Sequence, residues 1–266
     1  MIRIAWITDI HLNFLDGNKI EEFCETIVSA KVDAVLIAGD IGEATNVSYY
    51  LQILEEKIQL PIYFVLGNHD YYRGSIAQVR ERVGKFAAKS RWLRWLTNNG
   101  IVALSEKTGL IGHDSWADGR LGDYANSQVM LNDYLLINEF IGLDRDMRLS
   151  KLNALGDEAT AHFRKVLPEA LDRFEHILIL THVPPFREAC WHEGNISNDD
   201  YLPHFSCKAV GEVLVEMMQA HPDKEMTVLC GHTHSSGEAR ILPNLMVKTG
   251  AAIYGRPQLQ EVLVVA

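Results

Sequence analysis

The amino-acid sequence predicts a layered α/β fold with parallel strand pairing. Three observations predict it. Short apolar runs alternate with segments of helical apolar spacing. No linker, charge block or internal repeat divides the chain. The residues with unusual chemistry sit just after the apolar runs, where open α/β sheets place their ligands.

Residues 4–8 read as a buried strand, and residues 19–31 follow with Ile20, Phe23, Ile27 and Val28 at helical spacing. Ala34-Val35-Leu36-Ile37 is the next strand and residues 47–58 the next helix. Ile62-Tyr63-Phe64-Val65-Leu66, entered from Pro61, is the third strand. The second half repeats the theme with longer gaps: helix over 152–174, strand over 176–181, helix over 208–220, strand over 226–230. In the tail, Ile241, Leu245-Met246-Val247, Ala251-Ala252-Ile253-Tyr254 and residues 261–265 read as short strands divided by Pro and Gly turns. One domain over residues 1–266 is expected, with substrate-facing insertions at 113–150 and 186–207.

Composition narrows the function classes. The 266 residues are 47% hydrophobic and 23% charged, as in ordinary globular chains. A net charge of −10 argues against non-specific nucleic-acid binding, which needs clustered Lys and Arg. It leaves room for a small phosphorylated substrate, because a metal ion reverses the local charge of an acidic site. No leader precedes the first strand and no apolar run reaches membrane-spanning length, so a cytoplasmic location is expected. Cys24, Cys190, Cys207 and Cys230 are scattered without a C-x-x-C pair and read as reduced thiols.

Five motifs end their strands: Asp9 with His11, Gly39-Asp40, Gly67-Asn68-His69-Asp70, His182, and Gly231-His232-Thr233-His234. Imidazole nitrogen with carboxylate and amide oxygen favours Mn, Fe, Zn, Ni or Co over Ca or Mg. Two residues apart in extended chain point the same way, so Asp9 with His11, and His232 with His234, are each expected to address one place. Glycine before Asp40, Asn68 and His232 is expected to let the backbone turn sharply. The donors outnumber what one tetrahedral ion needs, so two ions fit better.

In this ordered set the sequence resembles the calcineurin-like metallophosphoesterase family, whose pattern is D-x-H, G-D, G-N-H-[D/E], a lone His and G-H-x-H. The resemblance spans residues 9–234. It implies a four-layer αββα sandwich with two mixed β-sheets and a metal site at the carboxyl ends of the strands. One ion would be held by Asp9, His11, Asp40 and His234, the other by Asp40, Asn68, His182 and His232, with Asp40 bridging. The cofactors implied are two divalent or trivalent transition-metal ions, Mn, Fe or Zn. His69 is implied as the catalytic residue outside the metal shell, assisting the leaving oxygen. A pair of ions about 3.5–4 Å apart activates a bridging hydroxide and clamps both oxygens of an in-line displacement.

The implied function is hydrolysis of a small phosphomonoester or phosphodiester, with a nucleotide-like substrate among the candidates. Cyclic-nucleotide phosphodiesterase and nucleotide pyrophosphatase are the alternatives, and a non-catalytic scaffold of the same fold is the rival from another class. Protein phosphatases of the family carry G-D-x-x-D-R, where this chain has Ala44 in place of the Arg. That branch is disfavoured. Among the remaining residues, His162, His176 and His221 read as structural or surface, His113 ends an apolar run and has a site-lining alternative, and Asp70 reads as a loop anchor. Glu43 is a candidate partner of His69, Arg73, Arg120 and Arg187 are candidate phosphate contacts, and the stretches from Trp116 to Asn138 and from Phe186 to Phe205 are the candidate specificity segments.

Overall fold

The computed structural model describes residues 1–265. The chain begins β1 (Ile2–Ile7), α1 (Gly17–Ser29), β2 (Ala34–Ala38), α2 (Val47–Ile58), β3 (Ile62–Val65), α3 (Ile76–Ala87), β4 (Leu93–Trp95), α4 (Leu96–Asn99), β5 (Val102–Ala103) and β6 (Thr108–His113). A long connection with the short helix α5 (Asp133–Leu136) leads to α6 (Arg145–Arg173) and β7 (His176–Thr181). There follow β8 (Trp191–His192), β9 (Asn195–Ile196), α7 (Leu202–Phe205), α8 (Lys208–Ala220), β10 (Glu225–Cys230), β11 (Gly237–Leu242), β12 (Leu245–Thr249) and β13 (Glu261–Val265).

Two large sheets form, ordered β13-β1-β2-β3-β4 and β11-β12-β10-β7-β6-β5. Their central strands are parallel, antiparallel pairing of β13 with β1, β11 with β12, and β5 with β6 forms three of the four edges, and β4 joins β3 in parallel at the fourth. Both sheets are therefore mixed. Period-two alternation explains why the strands read as unbroken apolar runs. In β1, Ala5 and Ile7 pack against Phe23 of α1 and Val47 of α2, while Ile4 and Trp6 enter a core shared with Leu178, Leu180 and Leu229 of the other sheet. In β7, Ile177 and Ile179 face Phe163 and Leu167 of α6 and Val213 of α8. Helices, sheet, sheet, helices: the four layers follow.

The tail departs from expectation in one place. Residues 251–254 form no strand; they belong to a loop between β12 and β13 whose Ala252 N–H donates to the His234 carbonyl at 3.2 Å. Their apolar character reflects a position beside the functional site rather than sheet pairing. α6 begins at Arg145, earlier than the apolar spacing suggested, because the Asp144 side chain caps it by accepting from Met147 N–H. Helix α3, an addition to the expected elements, buries Ile76, Val79 and Val83 at helical spacing. Among the described residues no helix is long and apolar enough to cross a membrane.

Candidate metal centre

Parallel pairing puts the carboxyl ends of β1, β2 and β3 at one edge, and those of β7 and β10 at the matching edge of the stacked sheet. Backbone bonds hold the strand ends together. Asp9 N–H donates to the Gly39 carbonyl at 3.1 Å, His11 N–H to the Asp40 carbonyl at 2.9 Å, and Gly231 N–H to the His182 carbonyl at 2.9 Å. Asp70 ties these turns into one unit: its Oδ1 accepts from Ile41 and Gly42 N–H, and its Oδ2 from Gly67 N–H. The loop-anchor reading of Asp70 matches this geometry.

The turns themselves are strained. Asp9, His11, Asp40, His232 and His234 all have φ between 42° and 71°, a region non-glycine residues seldom occupy. The expected extended-chain alternation is thus absent, and its consequence differs too. Asp9 and His11 do address one place, but His232 and His234 diverge to opposite sides of the centre. The glycines also act differently from expectation. Gly39 has φ of 91°, as a sharp turn requires. Gly67 and Gly231 lack positive φ and are needed for close approach: an added Cβ would lie 2.2 Å from Asp40 Oδ1 and 2.0 Å from Asp9 Oδ2, respectively.

All eight motif residues converge. Donor atoms of Asp9, His11, Asp40 and His234 lie within 4.8 Å of one another, a group able to hold a metal ion. His11 Nε2 is 3.2 Å from His234 Nε2, and His234 Nε2 is 3.5 Å from Asp9 Oδ1. On the far side of Asp40, Asn68 Oδ1 is 2.8 Å from His182 Nε2 and 3.0 Å from His232 Nδ1, and His182 Nε2 is 3.4 Å from Asp40 Oδ1.

Proton accounting shows what this second group fits. His182 Nδ1 lies 2.8 Å from the Ala38 carbonyl and His232 Nε2 lies 3.2 Å from the His204 carbonyl. A carbonyl only accepts, so each contact places the ring proton on that nitrogen. The opposite nitrogens are then bare. The Asn68 amide is oriented by Asp133, whose Oδ1 accepts from Asn68 Nδ2 at 2.8 Å and from the Tyr72 hydroxyl at 2.8 Å. Asn68 Oδ1 is left facing two bare nitrogens, with Asp40 Oδ1 beside them. Lone pairs converging without a proton between them suit a cation, and the outer carbonyl contacts are of the kind that orient metal-binding imidazoles.

The electrostatics agree. Burial, then the charges of Asp9 and Asp70, push the Asp40 carboxyl well above the ordinary range. Burial also pushes Asp9 upward, but the His234 hydrogen bond and the surrounding imidazoles prevail and hold it below that range. Burial lowers His11 and His232 to about 3, keeping both imidazoles neutral. His11 Nδ1 is buried without a partner.

His69 stands beside these groups. Its Nε2 is 3.9 Å from Asp40 Oδ2, and its ring packs 4.2 Å from Tyr72. Its backbone N–H donates to Asp40 Oδ1 at 2.9 Å. A cavity of about 200 Å³ opens over the centre, and both expected specificity segments reach it, through Leu131, Asn132 and Asp133 and through His192 and Phe205.

Several sequence expectations find other places. Glu43 does not reach His69; its carboxylate pairs with Arg73. Arg120 pairs with Asp118 and Asp157, and Arg187 with Asp199. None of the three arginines lines the cavity. His113 is buried against His162 and Phe163, and His176 meets Thr227 across the sheet. All four cysteines are free and buried. Sequence reading missed Asp133, Tyr72 and Tyr254 at the centre. Asp133 opens the short helix α5 and Tyr254 lies in an irregular segment, neither of them following a motif, and Tyr72 stands two residues beyond one.

The calcineurin-like phosphoesterase family model matches residues 2–236. No curated protein matches the sequence significantly. Among solved structures the chain is similar to a dimetal phosphatase from Danio rerio, with TM-score 0.61, 14% identity, and coverage of 96% of this chain and 89% of that one. It is similar as well to the phosphopantetheinyl hydrolase of Mycobacterium tuberculosis, with TM-score 0.62, 14% identity, and coverage of 94% and 89%. These likenesses concern the fold, and the family match spans every strand-end motif gathered at the sheet edge. The chain belongs to the calcineurin-like phosphoesterase family.

Proposed function

We propose that the protein hydrolyses a small phosphomonoester or phosphodiester with two transition-metal ions, Mn, Fe or Zn. The observation that carries this reading is the pair of bare imidazole nitrogens of His182 and His232 converging on Asn68 Oδ1 beside the Asp40 carboxylate. In this reading Asp9, His11, Asp40 and His234 hold one ion, and Asp40, Asn68, His182 and His232 the other. When bound, the ions supply an activated water and neutralise charge on the phosphoryl oxygens.

The remaining roles fall to the chain's own residues. Asp133 and Tyr72 fix the Asn68 amide so that its oxygen faces inward. The Asp70 anchor keeps the loops after β2 and β3 in register. His69, neutral because burial lowers it to about 2, offers a ring N–H to the leaving oxygen. Leu131 and Phe205 make part of the cavity wall apolar and limit water around the ester. The segments at 113–150 and 186–207 act as the substrate-facing parts of one domain.

The test is hydrolysis of bis(p-nitrophenyl) phosphate with added Mn²⁺, beside a chelator-treated sample and the H69A variant. The expected result is chelator-sensitive turnover that falls by about 10²–10⁴ in the variant, with metal content unchanged. Turnover that survives chelation, or an H69A enzyme as fast as the parent, overturns the assignment.

A further inference from the structure

The rim of the candidate site carries two aromatic rings that the reaction does not use. Phe14 is 52% exposed and Tyr254 is 48% exposed, yet their rings lie 4.8 Å apart. The Tyr254 ring is 4.6 Å from His11, 5.1 Å from His234 and 6.1 Å from His69. Phe14 closes the short turn that follows His11, which brings its ring to the same side.

Tyr254 is held there without being buried. The loop that bears it is fixed by Gly250 N–H donating to the Cys230 carbonyl at 2.9 Å, Ala252 N–H to the His234 carbonyl at 3.2 Å, and Ala251 N–H to Gln260 Oε1 at 2.9 Å. Single exposed apolar side chains are ordinary on a protein surface. A half-exposed ring that lines a polar site with a second beside it at the rim is a different matter, because flat faces in water favour another flat face.

The charges of the cavity point the same way. Among the described residues no Lys or Arg lines it, and Arg73, Arg120 and Arg187 are committed to carboxylates elsewhere. A second phosphate group inside the cavity would find no protein cation in its wall. The walls offer instead the rings of Phe205, Tyr72 and Tyr254 and the side chain of Leu131.

We propose that Tyr254 and Phe14 form a ring-binding subsite, selecting esters that carry one phosphorus centre and a flat aromatic group, aryl or nucleobase. The subsite lies on the side of the centre built from His11 and His234. This inference rests on the phosphoesterase reading for its substrate, but it concerns binding and is testable without turnover.

Phosphonates keep the phosphorus group and resist hydrolysis. Titration calorimetry on the Mn²⁺-loaded protein compares phenylphosphonate, hexylphosphonate and methylphosphonate. Phenylphosphonate should bind between about fivefold and 150-fold more tightly than methylphosphonate, the range expected from one stacked ring. The Y254A variant should erase that gap, Y254F should keep it, and F14A should narrow it. Equal affinities in the parent protein overturn the proposal. So does a gap that persists in Y254A at unchanged metal content, or hexylphosphonate binding as tightly as phenylphosphonate.

Two esters sharing the p-nitrophenyl leaving group then separate the sources of the ring. A higher kcat/KM for thymidine 5′-(p-nitrophenyl phosphate) than for bis(p-nitrophenyl) phosphate, lost in Y254A, assigns the subsite to a nucleobase. The opposite order, also lost in Y254A, assigns it to an aryl group. A ring-dependent binding gap with no turnover on either diester or on p-nitrophenyl phosphate removes the phosphoesterase reading and leaves the subsite. Turnover with no binding gap removes the subsite and leaves the reading.

Discussion

Replacing Gly67 by alanine tests whether close approach, rather than backbone freedom, is what the centre demands of this position. The new methyl carbon would lie 2.2 Å from Asp40 Oδ1, 2.6 Å from the Asp40 backbone nitrogen and 2.6 Å from His182 Cε1. Ordinary contact begins at 3.4 Å, so the Asp40 carboxylate would have to retreat by about 1.2 Å. Rotation of the Asp40 side chain cannot relieve the clash with its own backbone nitrogen, and the Asp40 carbonyl is already held by His11 N–H. Overpacking of this kind costs about 1–3 kcal/mol, which for a chain of this size lowers Tm by roughly 2–12 °C. The larger effect falls on metal binding, since ligand distances tolerate only about 0.2 Å. A misplacement near 1 Å costs about 10²-fold in rate.

The assay is metal content per chain after dialysis, with Mn²⁺-dependent hydrolysis and melting curves with and without Mn²⁺. The parent protein should melt higher with Mn²⁺, by the linkage of about 2.7 kcal/mol at a hundredfold excess over Kd. G67A should lose that increment and at least one ion. Gly17, whose added Cβ meets nothing within 4 Å, supplies the control: G17A should behave as the parent. A G67A protein that holds two ions and turns over at the parent rate would refute the packing argument.

Two other predictions concern residues away from the metal shell. Removing Asp133 frees the Asn68 amide to turn its nitrogen inward, so D133A should bind one of the two ions about 10- to 100-fold more weakly while folding normally. Unchanged affinity for both ions in a metal titration would dismiss the orienting role. Acid stability is the second. Burial lowers His113 to about 3 and His204 to about 4, below the ordinary 6.5. Above pH 6.5 both folded and unfolded chains are neutral at these rings and stability is full. As pH falls from about 6.5 toward 4 the unfolded chain takes up protons that the folded one refuses. Each ring then withdraws up to about 1.4 kcal/mol per pH unit. Melting of chelator-treated protein between about pH 7 and pH 5 should show this loss, and H113Q should flatten the slope. A parent protein equally stable at both ends would contradict it.

The sequence by itself determined the layers and the list of participants. Strands buried on both faces must be apolar at every position, so β1, β2, β3, β7 and β10 stand out as runs such as Ala34-Val35-Leu36-Ile37. Polar donors placed directly after such runs are legible because parallel strands end at a common edge. The eight candidate residues follow such runs, and the structure brings their side chains to one sheet edge.

Only the tertiary structure decided how they meet. Left-handed turns send His232 and His234 apart, which no alternation rule conveys, and Gly67 serves contact across the sheet edge rather than a turn. Asp133 at the start of the short helix α5 and Tyr254 in a loop reach the centre from outside the motifs, one more than sixty residues from its partner Asn68 and the other about 240 from Phe14 and His11. Periodicity marks residues whose neighbours lie in the same element. A contact made by an irregular loop depends on where the whole chain closes, and this is fixed only when both sheets stack.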